Sequence, residues 1–285
     1  MIRKFIAVFM MIFFATSTTF AADKIKTGED WDKGLIVVEG NAAGQSALKE
    51  YPRFYKNSAR QGARIDALRQ FAEYITSKNV ADFMKIIEID NGYVIRTKVS
   101  LDGSSKIIEM GAKQIGDAIF DIDYGICTVY VGLPIFGENS LAQAHYLHLK
   151  DETKENFPQP TVVENISEKY TGLIVDCRGL EVYRTLDPFI CYDLSEKESI
   201  TIYGTQFLDF NKIGSTFINQ GIVSYVRDVK DATRAGNNPL LVKAVASKFG
   251  RPVVSVADAD KILNANKNSG FLDSCAVVFL CDKFI

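Results

Sequence analysis

Between Phe54 and Ser77 the chain places an apolar residue at every fourth position: Ala59, Ala63, Ala67, Phe71 and Ile75. That spacing makes one face of an α-helix. Leu68 and Ala72 flank the stripe, while Arg60, Arg64, Arg69 and Glu73 fall largely off it. The first half of the stripe is alanine, beside Gly62. Small side chains let a helix lie close on its neighbour, so this segment needs a sheet or a second helix beneath it. It rules out an extended or fibrous chain. The composition agrees: 47% of the 285 residues are apolar and 24% charged, which is ordinary globular usage.

The segments around this helix read mostly as strands. Leu35 to Glu39 is a short apolar strand closed by Gly40. Met84 to Asp90 and Tyr93 to Leu101 read as two strands of a hairpin, with Asn91-Gly92 as its turn. Ile107 to Met110 also has strand character after the Asp102-Gly103 turn. Gly116 to Gly137 is β-rich, with Gly125 a bulge or a point of close approach. A polar run with two prolines, HLKDETKENFPQP, marks a boundary. The segment before it, SLAQAHYLHLK, could form a short helix. Beyond it, GLIVDCRG is a buried-type strand, and PFICYDL and ITIYG flank a charged turn as a hairpin. Asn238-Pro239 predicts a capped helix running LLVKAVASKF to Gly250. Ser255 caps a second helix, VADADKILNAN, and SCAVVFLC is a final strand. The fold expected is α+β: two small α+β domains, each a mostly antiparallel sheet with helices on one face. The divisions are a signal peptide at 1–21, an N-terminal domain with the long helix at 22–138, a linker at 139–169 and a C-terminal domain at 170–285.

The first 21 residues are expected to be an address rather than part of the fold. Arg3 and Lys4 precede an unbroken apolar run from Phe5 to Phe14. Small residues from Ala15 to Ala21 then offer a cleavage point after Ala21. This pattern predicts a secretory signal peptide. It has no lipobox cysteine, and no other segment approaches the length of a membrane span. The expectation is a periplasmic protein with no transmembrane helix in the mature chain. Lys+Arg of 33 against Asp+Glu of 35 gives no basic excess, which argues against nucleic acid as a partner. In an exporting compartment Cys127, Cys177, Cys191, Cys275 and Cys281 could form one or two structural disulfides in the C-terminal half, or stay as buried thiols. Their pairing is not fixed by the sequence, and no CxxC occurs.

Several patterns invite a chemical reading. His145 and His148 lie three apart, with Asp151 or Glu152 as a third metal ligand. No HExxH is present, and two solvent-facing linker histidines account for the pattern better. Asp121 with Asp123, and Asp258 with Asp260, could hold a hard cation, but a polar strand side and a helix cap are simpler. Ser46-Ala-Leu-Lys49 matches SxxK and Lys26-Thr27-Gly28 matches KTG. Their order is reversed from that of the β-lactamase class, so chance is the better account. Asn165-Ile-Ser167 is formally a glycosylation sequon. Arg60, Arg64 and Arg69 could form an anion patch; with Asp66 and Glu73 interleaved, a solvated helix face is preferred. No catalytic, cofactor-binding or metal-binding residue is assigned, and no cofactor is expected.

Two sets of residues together resemble a known group. Gly40 to Ile75 is a small-residue loop followed by ARQGARIDALRQFAEYI. It resembles the helix domain of LPP-twenty type lipoproteins and the N-terminal domain of flagellar assembly protein T. YTGLIVDCRGLEV, the Gly221-to-Tyr225 element, NPLLVKA, VVSVADADKIL and SGFLDSCAVVF are similar, in the same order, to the region that follows in those proteins. The chain departs from the lipoproteins in lacking the lipobox cysteine. The resemblance implies a non-enzymatic periplasmic protein near the outer membrane, and in the flagellar case one that builds the ring around the basal body. Its partners would be other envelope or flagellar proteins, with self-association open. The competing expectation is an exported small-ligand or metal-binding module using the linker histidines or the acidic pairs. An undetected hydrolase is the third.

Overall fold

The computed structural model describes residues 25–75, 103–195 and 198–282. The expected signal peptide, the strands at 84–90 and 93–101 and the Asn91-Gly92 turn lie outside the described residues. In the N-terminal part, β1 (Gly28–Asp30), β2 (Leu35–Ala43), β3 (Lys113–Asp121) and β4 (Ile126–Pro134) form an antiparallel sheet in the order β1-β2-β4-β3. Helix α1 (Pro52–Ile75) lies across β2 and β4. It begins with proline at the first helical position, where the missing N–H costs nothing. Ala59, Ala63, Ala67 and Phe71 are fully buried, as the stripe predicts. The contact is backbone on backbone. A Cβ on Gly40 of β2 would sit 2.0 Å from the Ala63 carbonyl oxygen of α1.

Helix α2 (Gly103–Gly111) replaces the strand expected at Ile107 to Met110. Ile107-Ile108 looked like a buried strand, but the buried set is Ile108 and Ala112, four apart on one helical face. Met110 points outward. Helix α3 (Leu141–Leu149) follows, capped by Ser140, whose hydroxyl accepts the Gln143 N–H at 3.1 Å. Residues 139–169 thus include a helix with buried Leu141, Ala142 and Ala144. It packs against α2 and against α4 (Phe210–Gln220).

The C-terminal part holds two further sheets. β5 (Gly172–Asp176), β8 (Ser224–Val226), β9 (Pro239–Lys243) and β12 (Val277–Leu280) form one sheet, ordered β8-β12-β5-β9, in which every neighbouring pair is parallel. β6 (Ile190–Ser195), β7 (Glu198–Tyr203), β10 (Ala246–Lys248) and β11 (Arg251–Val254) form the other, ordered β10-β11-β6-β7 with mixed directions. The β6–β7 hairpin and helix α5 (Val256–Ser269) fall where the sequence places them. The molecule is α+β. Strand direction in this half differs from the antiparallel expectation. Leu173 to Val175 and Val277 to Leu280 are continuous buried runs, which is how a strand covered on both faces reads.

The helix expected from Asn238-Pro239 is instead β9 and β10. Leu240, Val242 and Ala244 are buried, and Leu241 and Val245 are exposed, a period of two rather than 3.6. Proline opens β9, a position where a strand tolerates it. The Asn238 amide donates to Glu168 and to the Lys169 carbonyl, tying loops together rather than capping a helix. One hydrophobic core runs from α1, β2 and β4 through α3 into the C-terminal strands. Polar ties accompany it: Arg184 pairs with Asp32 at 2.9 Å, and the Gly137 N–H donates to the Ile218 carbonyl at 2.9 Å.

Candidate functional site

The segment Asp121 to Gly125 turns the chain between β3 and β4. One Asp121 oxygen accepts the N–H groups of Asp123 at 2.9 Å and of Tyr124 at 3.1 Å, a side-chain mimic of a turn. Gly125 adopts φ +65°, which glycine takes without strain. Tyr55 of α1 then pins the turn. Its hydroxyl donates to the Gly125 carbonyl at 3.4 Å, and its ring stands edge-on to Phe120 with centroids 6.3 Å apart. The Lys56 ammonium lies 5.1 Å from the Phe120 ring centre.

Locked this way, the tip holds its large side chains out in water. Ile122 is 79% exposed and Tyr124 77%. At the start of α1, Tyr51 and Phe54 are also exposed, with their rings 6.4 Å apart edge to face. The Tyr55 anchor ties both sets to the same end of the unit. Ile119 and Ile126, exposed as well, continue the apolar character onto the sheet face opposite α1. Single exposed apolar residues are normal; several grouped at one end make a candidate contact surface. Among the described residues β3 is an edge strand, but one less open to an added strand. Its register slips between Ile115 and Ile119, Gly116 takes φ +67°, and Lys113 and Asp117 are charged.

The residues singled out by sequence are dispersed. The His145 ring nitrogen lies 3.0 Å from an Asp187 carboxylate oxygen, and the ring packs near Phe217. His148 belongs to α3, and Asp151 and Glu152 are exposed beyond its end. Among the described residues no group of three or more His, Cys, Asp or Glu could hold a metal ion. Asp121 shapes its turn, and Asp258 shares the α5 cap with Ser255. Asp260 has a role the sequence reading missed. It is buried, and it accepts the N–H groups of Thr161 at 2.6 Å and Val162 at 3.1 Å and the Thr161 hydroxyl, fastening the 160s segment to α5. Ser46 opens a short 3-10 turn, and Lys49 and Asn165 are exposed.

The arginines of α1 are engaged. Arg60 donates to Gln114 and Arg64 to the Ala112 carbonyl. Arg69 pairs with Asp66 and Glu73. Burial pushes the Asp66 carboxyl up, but hydrogen bonds from Arg69, the Asn41 N–H and Gln70 outweigh it and hold it below the usual carboxylate value. All five cysteines are buried and unbridged. Burial raises the Cys127 and Cys191 thiols and pushes Cys275 up to about 11, so these three are poor nucleophiles near neutral pH. A surface depression of about 570 Å³ runs along β1 and β2, lined by Thr27, Ile36, Val38, Glu39 and Gln70 among others. No helix of the described residues is long and apolar enough to cross a membrane.

Residues 172–283 match the family model described as Treponema pallidum Tp0624, second domain. The match spans under half of the chain and coincides with the two C-terminal sheets and α5. Its description names neither the lipoprotein nor the flagellar group of the sequence resemblance. No curated protein matches the chain at a significant level.

Proposed function

We propose that this protein is an exported, non-enzymatic scaffold of a bacterial envelope. In this reading it docks another envelope protein through the apolar end formed by Tyr51, Phe54, Ile122 and Tyr124. The rigid exposure of that end carries the reading. Water does not favour Ile122 and Tyr124 held out on a pinned turn beside exposed Tyr51 and Phe54 at the start of α1, and a partner surface would remove them from it. The leader-like first 21 residues support the periplasm as the place of work. The family match supports a modular role, because its description names a second domain, one part of a larger protein. The resemblance of α1 and its flanks extends the proposal to ring assembly at the flagellar basal body.

The test places a photo-crosslinking amino acid at Ile122 or Tyr124, and at exposed Val163 as a control, in the native host. A discrete adduct from the first two positions and none from Val163 supports docking at this end. Equal adducts, or none, remove it. The flagellar extension is tested separately, by deleting the gene and imaging basal bodies by electron cryotomography. Unchanged rings with normal motility end that version and leave the scaffold reading standing.

A further inference from the structure

β5 and β12 are parallel neighbours, with Leu173 opposite Val277, Val175 opposite Phe279 and Asp176 opposite Leu280. The ladder continues past both strands, where the Cys177 N–H donates to the Leu280 carbonyl at 2.8 Å. The next opposed pair is Cys177 and Cys281. Alternation sets their direction. Leu173, Val175, Val277 and Phe279 belong to the main core, whereas Ile174, Val278 and Leu280 belong to a smaller cluster on the other face. Two residues beyond Val175 and Phe279, Cys177 and Cys281 return to the main core, on one face of the sheet. Both side chains are buried in that core.

Adjacent strands lie about 4.8 Å apart. That falls inside the roughly 4.4–6.8 Å between Cα atoms that a disulfide spans. The other thiols face different groups. Cys275 contacts Tyr203, Cys191 lies 4.0 Å from the Pro252 carbonyl oxygen, and Cys127 is on β4 in the N-terminal sheet.

We propose that Cys177 and Cys281 are a disulfide-forming pair that locks the centre of the parallel sheet when the chain meets an external disulfide. One of the two protein thiolates attacks one sulfur of that disulfide, forming a mixed disulfide and releasing one thiolate. The other protein thiolate then attacks the protein sulfur of that mixed disulfide, forming the Cys177–Cys281 bond and releasing the second thiolate. The two protein sulfurs lose two electrons, the external disulfide gains two, and the two thiol protons pass to the released thiolates. Cys177 is 0% exposed and Cys281 1%. The exchange therefore belongs to the folding chain or to an opened sheet, and the finished bond is shielded from reductant. The bond closes a loop of about a hundred residues, the regime in which a cross-link most restricts the unfolded chain. The docking reading is not needed for this inference.

The test refolds the denatured, reduced full chain in a mixture of reduced and oxidised glutathione, and a second sample with dithiothreitol. Both are alkylated in denaturant, digested and mapped by mass spectrometry. The oxidised sample is expected to carry two fewer alkyl groups, with the Cys177 and Cys281 peptides joined. Its melting temperature should be higher by roughly 10 °C. Cys177→Ala and Cys281→Ala should each lose the bridge. Alkylation of all five thiols after oxidative refolding, or a bridge between any other pair, overturns the proposal. Equal melting temperatures of bridged and reduced chains overturn the locking role. The decisive readouts use the unaltered chain, so a variant that fails to fold does not affect them.

Discussion

In the N-terminal sheet, Cys127, Val129 and Val131 of β4 are sealed under α1, while Ile126 faces outward. In the C-terminal parallel sheet, Leu173, Ile174 and Val175 of β5 are all buried, as are Val277 to Leu280 of β12. Among the described residues, one sheet has a face sealed under α1 and an opposite face exposed toward its β3–β4 turn; the other is covered twice at its centre. The difference assigns work. The first sheet leaves side chains in water, and its hairpin tip does so with Ile122 and Tyr124, the surface proposed above for docking. The doubly covered sheet gives up contact surface and gains a dry interior in which two thiols face each other. It also has its own boundary, since β9 is an edge strand with Leu241 exposed.

The hardest way to break the comparison is at the helix–sheet contact of the N-terminal part. Gly40→Val puts carbon where the Ala63 carbonyl already lies. A loss of about 4 kcal/mol or more is expected in urea titration. A loss below about 1 kcal/mol would mean that α1 can lift off β2. In the C-terminal sheet, Leu240→Ala should cost about 3 kcal/mol and Leu241→Ala less than about 0.5. Equal costs would contradict the alternation that makes this segment a strand. Asp260→Ala leaves the Thr161 and Val162 N–H groups without their acceptor. About 2 kcal/mol is expected, together with faster proteolysis near residue 160.

Smaller effects sharpen the comparison further. Asp66 binds the Asn41 N–H at 3.1 Å and Arg69 at 2.7 Å, joining α1 to β2 at the half-buried rim. Burial pushes its folded carboxyl up, but these hydrogen bonds outweigh that and hold it below the usual carboxylate value. Its contribution is therefore full above about pH 4 and is lost as pH falls through the lowered folded value. Asp66→Asn should cost about 1 kcal/mol at pH 7, and the gap to the unaltered chain should shrink below pH 4. A gap independent of pH would assign the effect to packing. The smallest effect is expected at the tip, where Ile122→Ser with Tyr124→Ser should change stability by less than about 0.5 kcal/mol. A large loss there would make the tip part of the fold rather than a surface.

Much of this architecture was legible where the signal was local. The α1 stripe, the Ser255 cap and the β6–β7 hairpin each depend on residues a few positions apart. The strand at Pro239 to Lys243 was misread because LLVKAVASKF contains good helix formers, and only the neighbour β5 decides between the two periods. Ile107 to Met110 failed in the opposite direction, since two adjacent isoleucines suit either element until a packing face is chosen. The candidate site was only partly legible. The β-rich run and the close approach at Gly125 were legible, but a lone Tyr124 in a turn carries no sign that Tyr55, far back in the chain, pins that turn outward.

The sequence by itself determined the α+β class and the helix built to lie on a sheet, because turn, cap and i,i+4 preferences act through the nearest backbone. Tertiary structure alone decided which strands run parallel and which apolar side chains stay in water. It also decided which of five cysteines face each other. Those outcomes depend on register between segments about a hundred residues apart, where a shift of one residue turns every side chain to the opposite face.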